Sequence, residues 1–247
     1  SYSVTGVQTC ALPIYPQGTG DINANIKGTF GDYGDFNVDG IIKPENISIL
    51  YKGFPYPLEE GSGIIDIKDN KFFFRSLKFR HKMVDLELNG WVGKSEGLWK
   101  SDLRIVSSNM QLDKDLYMAL SIDQKRQWFT FTPSGLAEID YRIAIVQGQA
   151  NNVTLEIILK GAQAVYRHFP YPLINLTGKI NYENDRLTWR DIISEYDGRT
   201  IKFNGQVTEL SSNSPVIETA IEARNMPIDS DLRNAMPEKQ RKFYEYF

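Results

Sequence analysis

The feature that most constrains this chain is a pentapeptide, Phe-Pro-Tyr-Pro-Leu, which occurs at residues 54–58 and again at residues 169–173. The copies lie 115 residues apart, and Asn89-Gly90 returns as Asn204-Gly205 at the same spacing. After one inserted residue, Asn109-Met110 returns as Asn225-Met226. A period this long indicates a repeated supersecondary module, so the chain is an array of similar units and not one closed domain.

The repeat divides the chain into three segments. Residues 1–14 resemble a translated sequencing adapter, so we exclude them from fold reasoning; the alternative is a divergent native N-terminus. Residues 15–132 form the first repeat, which we expect to be truncated at its N-terminus. Residues 133–247 form the second repeat, which we expect to be truncated at its C-terminus. The sequence thus predicts an internal piece of a longer protein, with further copies of the repeat at both ends.

Alternating apolar and polar residues predict a mainly β fold. The alternation is clearest at residues 86–92 and in their copy at residues 201–207. A period of two is typical of half-buried antiparallel strands with one face toward water. Turn residues separate the strands at 69–70 and 184–185. The strands that we predict for the second unit lie near 135–147, 153–166, 176–183, 186–195, 200–209 and 216–225.

Each unit is predicted to end in two short helices. Asp229 can cap the first helix, and Pro237 suits the first position of the second helix, where the first copy has Ser121.

The prolines of the pentapeptide favour extended backbone. We therefore predict an edge strand or crossing segment in which Phe54, Tyr56 and Leu58 pack, with an aromatic docking platform as the alternative.

The composition indicates little chemistry. A net charge of -3 provides no basic field for nucleic acid. The single cysteine, Cys10, lies in the suspect segment, so we expect no disulfide and no cysteine metal site. His81 and His168 are not equivalent in the repeat, and we predict that both are ordinary surface or turn residues. Phosphate-binding and hydrolase motifs are missing, so we predict a protein that is not an enzyme, with no catalytic residues, no metal and no cofactor.

The apolar positions of the strands form a large face that must be covered or used. A closed sandwich would bury it, whereas an open sheet would leave an apolar trough, which marks a site for apolar ligands. Both arrangements remain open at this point. The residues that we predict to line such a groove are Ile65, Ile67, Phe72, Phe74, Leu86, Leu88, Ile180, Tyr182, Leu187, Trp189, Ile201 and Phe203.

The order of these motifs resembles a known family. Phe-Pro-Tyr-Pro-Leu, alternating strands, Asn-Gly, Asn-Met, a short helix and Pro133-Ser-Gly135 look like the repeats of AsmA-like and TamB-like envelope proteins of two-membrane bacteria. The resemblance covers residues 15–247. It implies a long periplasmic protein, anchored in the inner membrane through parts missing here, whose curved antiparallel sheet forms an open, taco-like groove.

The resemblance also implies a function, which is bridge-like transfer of phospholipids or support of outer-membrane biogenesis. The partners would be phospholipid acyl chains, held on the apolar positions without catalysis. The alternative hypothesis is a structural or adhesive extracellular β-repeat scaffold without a lipid ligand.

Overall fold

The computed structural model describes residues 14–28, 36–51, 54–212 and 214–244. They form one twelve-stranded antiparallel sheet, in which each strand pairs with its neighbours in chain order and which is not closed into a barrel. The strands are β1 Ile14–Lys27, β2 Asn37–Tyr51, β3 Phe54–Lys68, β4 Lys71–His81, β5 Val84–Ser95, β6 Leu98–Gln111, β7 Leu136–Val146, β8 Asn152–Tyr166, β9 Phe169–Glu183, β10 Arg186–Tyr196, β11 Arg199–Thr208 and β12 Val216–Arg224. The helices are α1 Lys114–Ala119, α2 Ile122–Phe131, α3 Ser230–Ala235 and α4 Glu238–Tyr244. The prediction of a mainly β, antiparallel fold with short helices is confirmed. Of the predicted adapter segment, residues 1–13 with Cys10 lie outside the described residues.

The same order of elements occurs twice, as six strands followed by two helices. Irregular positions repeat as well. The pairing of β4 with β5 shifts register between Phe74 and Leu77, and the pairing of β10 with β11 shifts at the equivalent point. Ser76 and Asp191, which lie in these bulges, have left-handed φ angles of 47° and 48°. The repeat therefore extends to the backbone conformation of single residues.

One strand begins earlier than predicted. We expected the third strand of the second unit near residue 176, but β9 begins at Phe169 and includes the pentapeptide. The pentapeptide also opens β3, which is an internal strand and not an edge strand of the sheet, but the pentapeptide itself is extended and pairs on one side only, as predicted for an edge. Proline is tolerated because it lies at the start of the strand, where β3 pairs with β2 only; its pairing with β4 begins at Glu59.

The prediction of two short helices at the end of each unit is confirmed, except that α4 begins at Glu238, one residue after Pro237. Asp229 caps α3 by accepting a hydrogen bond from the backbone N–H of Leu232 at 3.0 Å. Ser121 begins α2 with a capping box that it forms with Gln124. Pro237 separates α3 from α4.

The sheet has an apolar face and a charged face, because side chains alternate along each strand and cross-strand partners share a face. Leu77, Phe79 and Leu86 lie buried on the apolar face in a cluster with Tyr56 and with Ala119 of α1. In the described residues the only elements that cover this face are the short helices, and no second sheet packs on it. The closed sandwich is therefore not the arrangement found.

Ion pairs occupy the charged face. Arg104 makes two hydrogen bonds to Asp140 across β6 and β7, at 2.9 and 2.6 Å. These bonds lower the pKa of Asp140. Lys179 contacts Glu156 at 2.8 Å between β9 and β8. Because exposed pairs of this kind contribute little to stability, their main effect is to keep this face hydrated.

Candidate apolar binding face

The apolar face is continuous across the junction between the two repeats. One row of cross-strand partners runs from β5 to β10 through Leu88, Ile105, Tyr141, Leu155, Tyr182 and Leu187. The junction itself is the ladder between β6 and β7, where Ile105 lies opposite Tyr141 and Leu103 lies opposite Ile143. The face is therefore one apolar surface that spans both units.

The twelve residues predicted to line a groove all lie on this face. Four pairs of them are direct cross-strand partners, which are Ile65 with Phe74, Ile67 with Phe72, Ile180 with Trp189 and Tyr182 with Leu187. Leu88 lies opposite Leu77, and Phe203 lies opposite Ile192.

Two of these twelve residues, Leu86 and Ile201, are more buried than the others. Leu86 and Ile201 are only 7% and 8% exposed, and they belong to the clusters that include Ala119 of α1 and Ala235 of α3. Phe72 is 36% exposed. The part of the face that a ligand could contact thus lies away from α1 and α3, toward the turns that join β3 to β4 and β9 to β10.

At the end of the apolar face that α1 and α3 cover, the tyrosine of each pentapeptide packs in a buried cluster. Tyr56 is 2% exposed and Tyr171 is 3% exposed, whereas Phe54 and Phe169 stack on them from exposed positions. The packing role that we predicted for Tyr56 is confirmed, while Phe54 is more exposed than predicted.

The two tyrosine hydroxyls have different surroundings. The Tyr171 hydroxyl accepts a hydrogen bond from Arg199 at 2.8 Å. The Tyr56 hydroxyl is buried, and among the described residues it has no hydrogen-bond partner. Burial, with Asp113 and Asp115 nearby, raises the pKa of Tyr56 to about 12.

The prediction that His81 is a surface or turn residue is wrong. It is buried at the end of β4, where its ring packs edge-on against Tyr56 and contacts Glu59 at 3.4 Å and Asp115 at 3.0 Å. Lys82 also pairs with Asp115, which lowers the pKa of that carboxyl. The sequence does not reveal this cluster, because α1 brings Asp115 back over β4 from a distant position in the chain.

His168 is exposed in the turn between β8 and β9, as predicted.

Sequence reasoning missed the role of the repeated Asn-Gly pairs. The side chain of Asn89 accepts a hydrogen bond from the N–H of Ser76 in the bulge at 2.8 Å, and Asn204 accepts one from Asp191 at the same distance. A Cβ atom at Gly90 would lie 2.0 Å from the carbonyl oxygen of Asp102, so only glycine allows β6 to approach. The strict recurrence of Asn-Gly was the signal that could have indicated this role.

One depression in the described part of the surface lies on the charged face. Its volume is about 890 Å³, and it crosses β3 to β8 between Glu60 and Ile158. Several charges that line it are paired, including Arg104 with Asp140 and Arg80 with Asp85. A smaller depression of about 90 Å³ lies beside α3, next to Tyr171 and Arg199. Neither of them is the apolar groove that we predicted.

Among the described residues, no group of three or more His, Cys, Asp or Glu side chains is placed to hold a metal ion. None of the helices in the described ranges is long and apolar enough to span a membrane.

Comparison with known proteins gives no relative: no family model, curated protein or solved structure matches this chain.

Proposed function

We propose that the chain is a segment of a non-enzymatic, bridge-like lipid-transfer protein that binds phospholipid acyl chains along its apolar face. The observation that supports this proposal best is the continuity of that face through the β6–β7 junction. A surface that runs across repeat boundaries can carry an extended apolar ligand, whereas separate closed cores could not. An apolar surface of this extent on one side of a polar sheet marks a site for apolar ligands or partners.

The opposite face supports the same proposal. Its paired charges keep it hydrated, so lipid would contact one side of the sheet only. Acyl chains would bind without selection of the head group, because affinity would follow the buried apolar area at about 25 cal/mol per Å². The proposed location is the periplasm of a two-membrane bacterium, with the inner-membrane anchor in a part of the protein outside this sequence.

Two neighbouring phenylalanines of β4 provide a matched test. Phe72 lies on the apolar face opposite Ile67 and Val92, while Phe73 lies on the charged face opposite Asp66 and Trp91. Residues 15–247 of wild type, Phe72→Asp and Phe73→Asp would be produced in a bacterial periplasm. Phospholipid carried through purification would then be measured by native mass spectrometry and by extraction.

The proposal predicts that wild type and Phe73→Asp carry phospholipid and that Phe72→Asp carries at least several-fold less. Circular dichroism must show that both variants fold. Leu88 is less suitable for this test, because it packs against the buried cluster and its replacement would disturb folding. A folded wild-type protein that carries no lipid and takes none from vesicles would overturn the proposal.

A scaffold without lipid is the second candidate. The observation that favours it is the depression of about 890 Å³ on the charged face. In that case the apolar face would serve for packing between protein units, and the same experiment would show no lipid in any of the three proteins.

A further inference from the structure

Strand β12 is a sheet edge with an apolar face. In the described part of the chain it pairs only with β11, and its residues Ile217 and Ile221 are exposed opposite Val207 and Phe203. Under the repeat, β12 is the equivalent of β6. Because β6 is paired on both sides, with β5 and with β7, the repeat itself shows what an occupied edge of this type looks like.

The residue just after β6 also contacts the next unit. After β6, the backbone N–H of Leu112 donates to the carbonyl of Gly135 at 2.8 Å. Its side chain packs on a cluster of the second unit that includes Ala162. The equivalent residue after β12 is Ile228, which is 82% exposed. The contact that Leu112 makes between the two units therefore has no counterpart at Ile228 in the described residues.

The opposite edge of the sheet, β1, corresponds to the strand that pairs with β6. Strand β1 is the equivalent of β7, because it pairs with β2 as β7 pairs with β8: Ile22 lies opposite Ile42, and Ile139 lies opposite Ile157. In the described residues β1 pairs only with β2, and its residues Ile22 and Ile26 are exposed. Long, apolar, unpaired edges are templates for the addition of another strand.

We propose that β12 and Ile228 form an acceptor edge that binds β1 of a second copy of this chain, head to tail. The new ladder would reproduce the register of β6 with β7. In that register Ser107 lies opposite Ile139 and Ile105 opposite Tyr141. The transferred pairs are Ala223 with Ile22 and Ile221 with Ala24. The contact is heterologous and does not close, so it extends into chains of copies. This inference does not depend on lipid binding.

Disulfide crosslinking tests the register. The parent is the full chain with Cys10→Ser, into which Ile22→Cys and Ala223→Cys are introduced together. Within one copy the two positions lie at opposite edges of the twelve-stranded sheet, so their disulfide joins two chains. The proposal predicts dimers and longer products on a non-reducing gel, which disappear when reductant is added.

The matched control is Ile22→Cys with Thr219→Cys. Thr219 lies on the same face of β12 as Ala223, but four residues away, which is about 13 Å along a strand. Its crosslinking should be at least several-fold weaker. Equal crosslinking of both pairs, or none of either, would overturn the proposed register.

Sedimentation velocity tests association without any new cysteine. The Cys10→Ser parent should sediment as larger species as its concentration rises. Ile221→Lys, which places a charge on the exposed edge, should stay a folded monomer. A parent that remains monomeric at every concentration, or a variant that associates as the parent does, would overturn the proposal.

Discussion

At the scale of single residues, the two copies of the pentapeptide make the same contact with different hydrogen bonding. Tyr56→Phe removes a buried hydroxyl that has no partner among the described residues, so the free energy of unfolding should stay the same or rise by up to about 1 kcal/mol. Tyr171→Phe removes the acceptor for Arg199 and should lower it by about 1 kcal/mol. Urea denaturation of both variants measures the difference; equal effects at the two sites would contradict this account.

The raised pKa of Tyr56 predicts a loss of stability at alkaline pH. The unfolded chain ionises this tyrosine near the ordinary value of 10, whereas the folded chain holds the proton until about pH 12. The free energy of unfolding should therefore fall as the pH rises between these values. Tyr56→Phe should lose this part of the pH dependence, and Tyr171→Phe should keep it. Identical alkaline profiles for wild type and Tyr56→Phe would show that burial does not raise this pKa.

The residue scale also shows where sequence reasoning stops. The repeat and the alternation place Tyr56 and Tyr171 in the same packing position. They do not reveal the missing hydrogen bond, because the partner of Tyr171 is Arg199, and the first unit has Val84 at the equivalent position. Nor do they reveal the burial of His81, which depends on how α1 returns over β4.

At the scale of elements, the helix α1 depends on its cap. The Asp113 carboxylate accepts hydrogen bonds from the N–H groups of Asp115 and Leu116 at 3.0 and 3.1 Å. Asp113→Ala should destabilise α1 by about 1 kcal/mol, seen as faster amide hydrogen exchange in this helix. Asp123→Ala removes only an exposed ion pair with Arg126 and is the control. Unchanged exchange in Asp113→Ala would show that packing alone holds the helix.

The bulges in β4 and β10 depend on the repeated asparagines. Asn89→Ala leaves the N–H of Ser76 without its acceptor and should lower the free energy of unfolding by about 1 kcal/mol. Asn204→Ala should have an effect of similar size in the second unit, because the two bonds have equal length. Denaturation by urea compares them; two variants as stable as wild type would mean that the bulges form without this bond.

Element boundaries were predictable where a pattern is strong. Alternation located most strands to within a few residues, and the Asp and Ser caps located the helix starts. The start of β9 was not predictable from the pattern. Its two prolines argue against a full hydrogen-bond ladder. In the structure β9 begins there because only β8 pairs with this segment, and the pairing with β10 begins later, at Leu176.

At the scale of the whole molecule, the apolar pattern alone could not distinguish a sandwich from an open sheet, since both bury alternate residues. What decides between them is that, in the described residues, each strand contacts its neighbours in chain order and only the short helices pack across the face. The result is one apolar face shared by both units, and the central claim of this account is that acyl chains bind there.

Tryptophan quenching by brominated acyl chains tests that claim most directly. Trp189 lies on the apolar face opposite Ile180, while Trp91 lies on the charged face under the ammonium group of Lys71. Two proteins would each keep one of these tryptophans, with the other three of the chain replaced by phenylalanine. On addition of phospholipid with brominated chains, the account predicts strong quenching of Trp189 and little of Trp91. Equal quenching of both, or none of either, would contradict it.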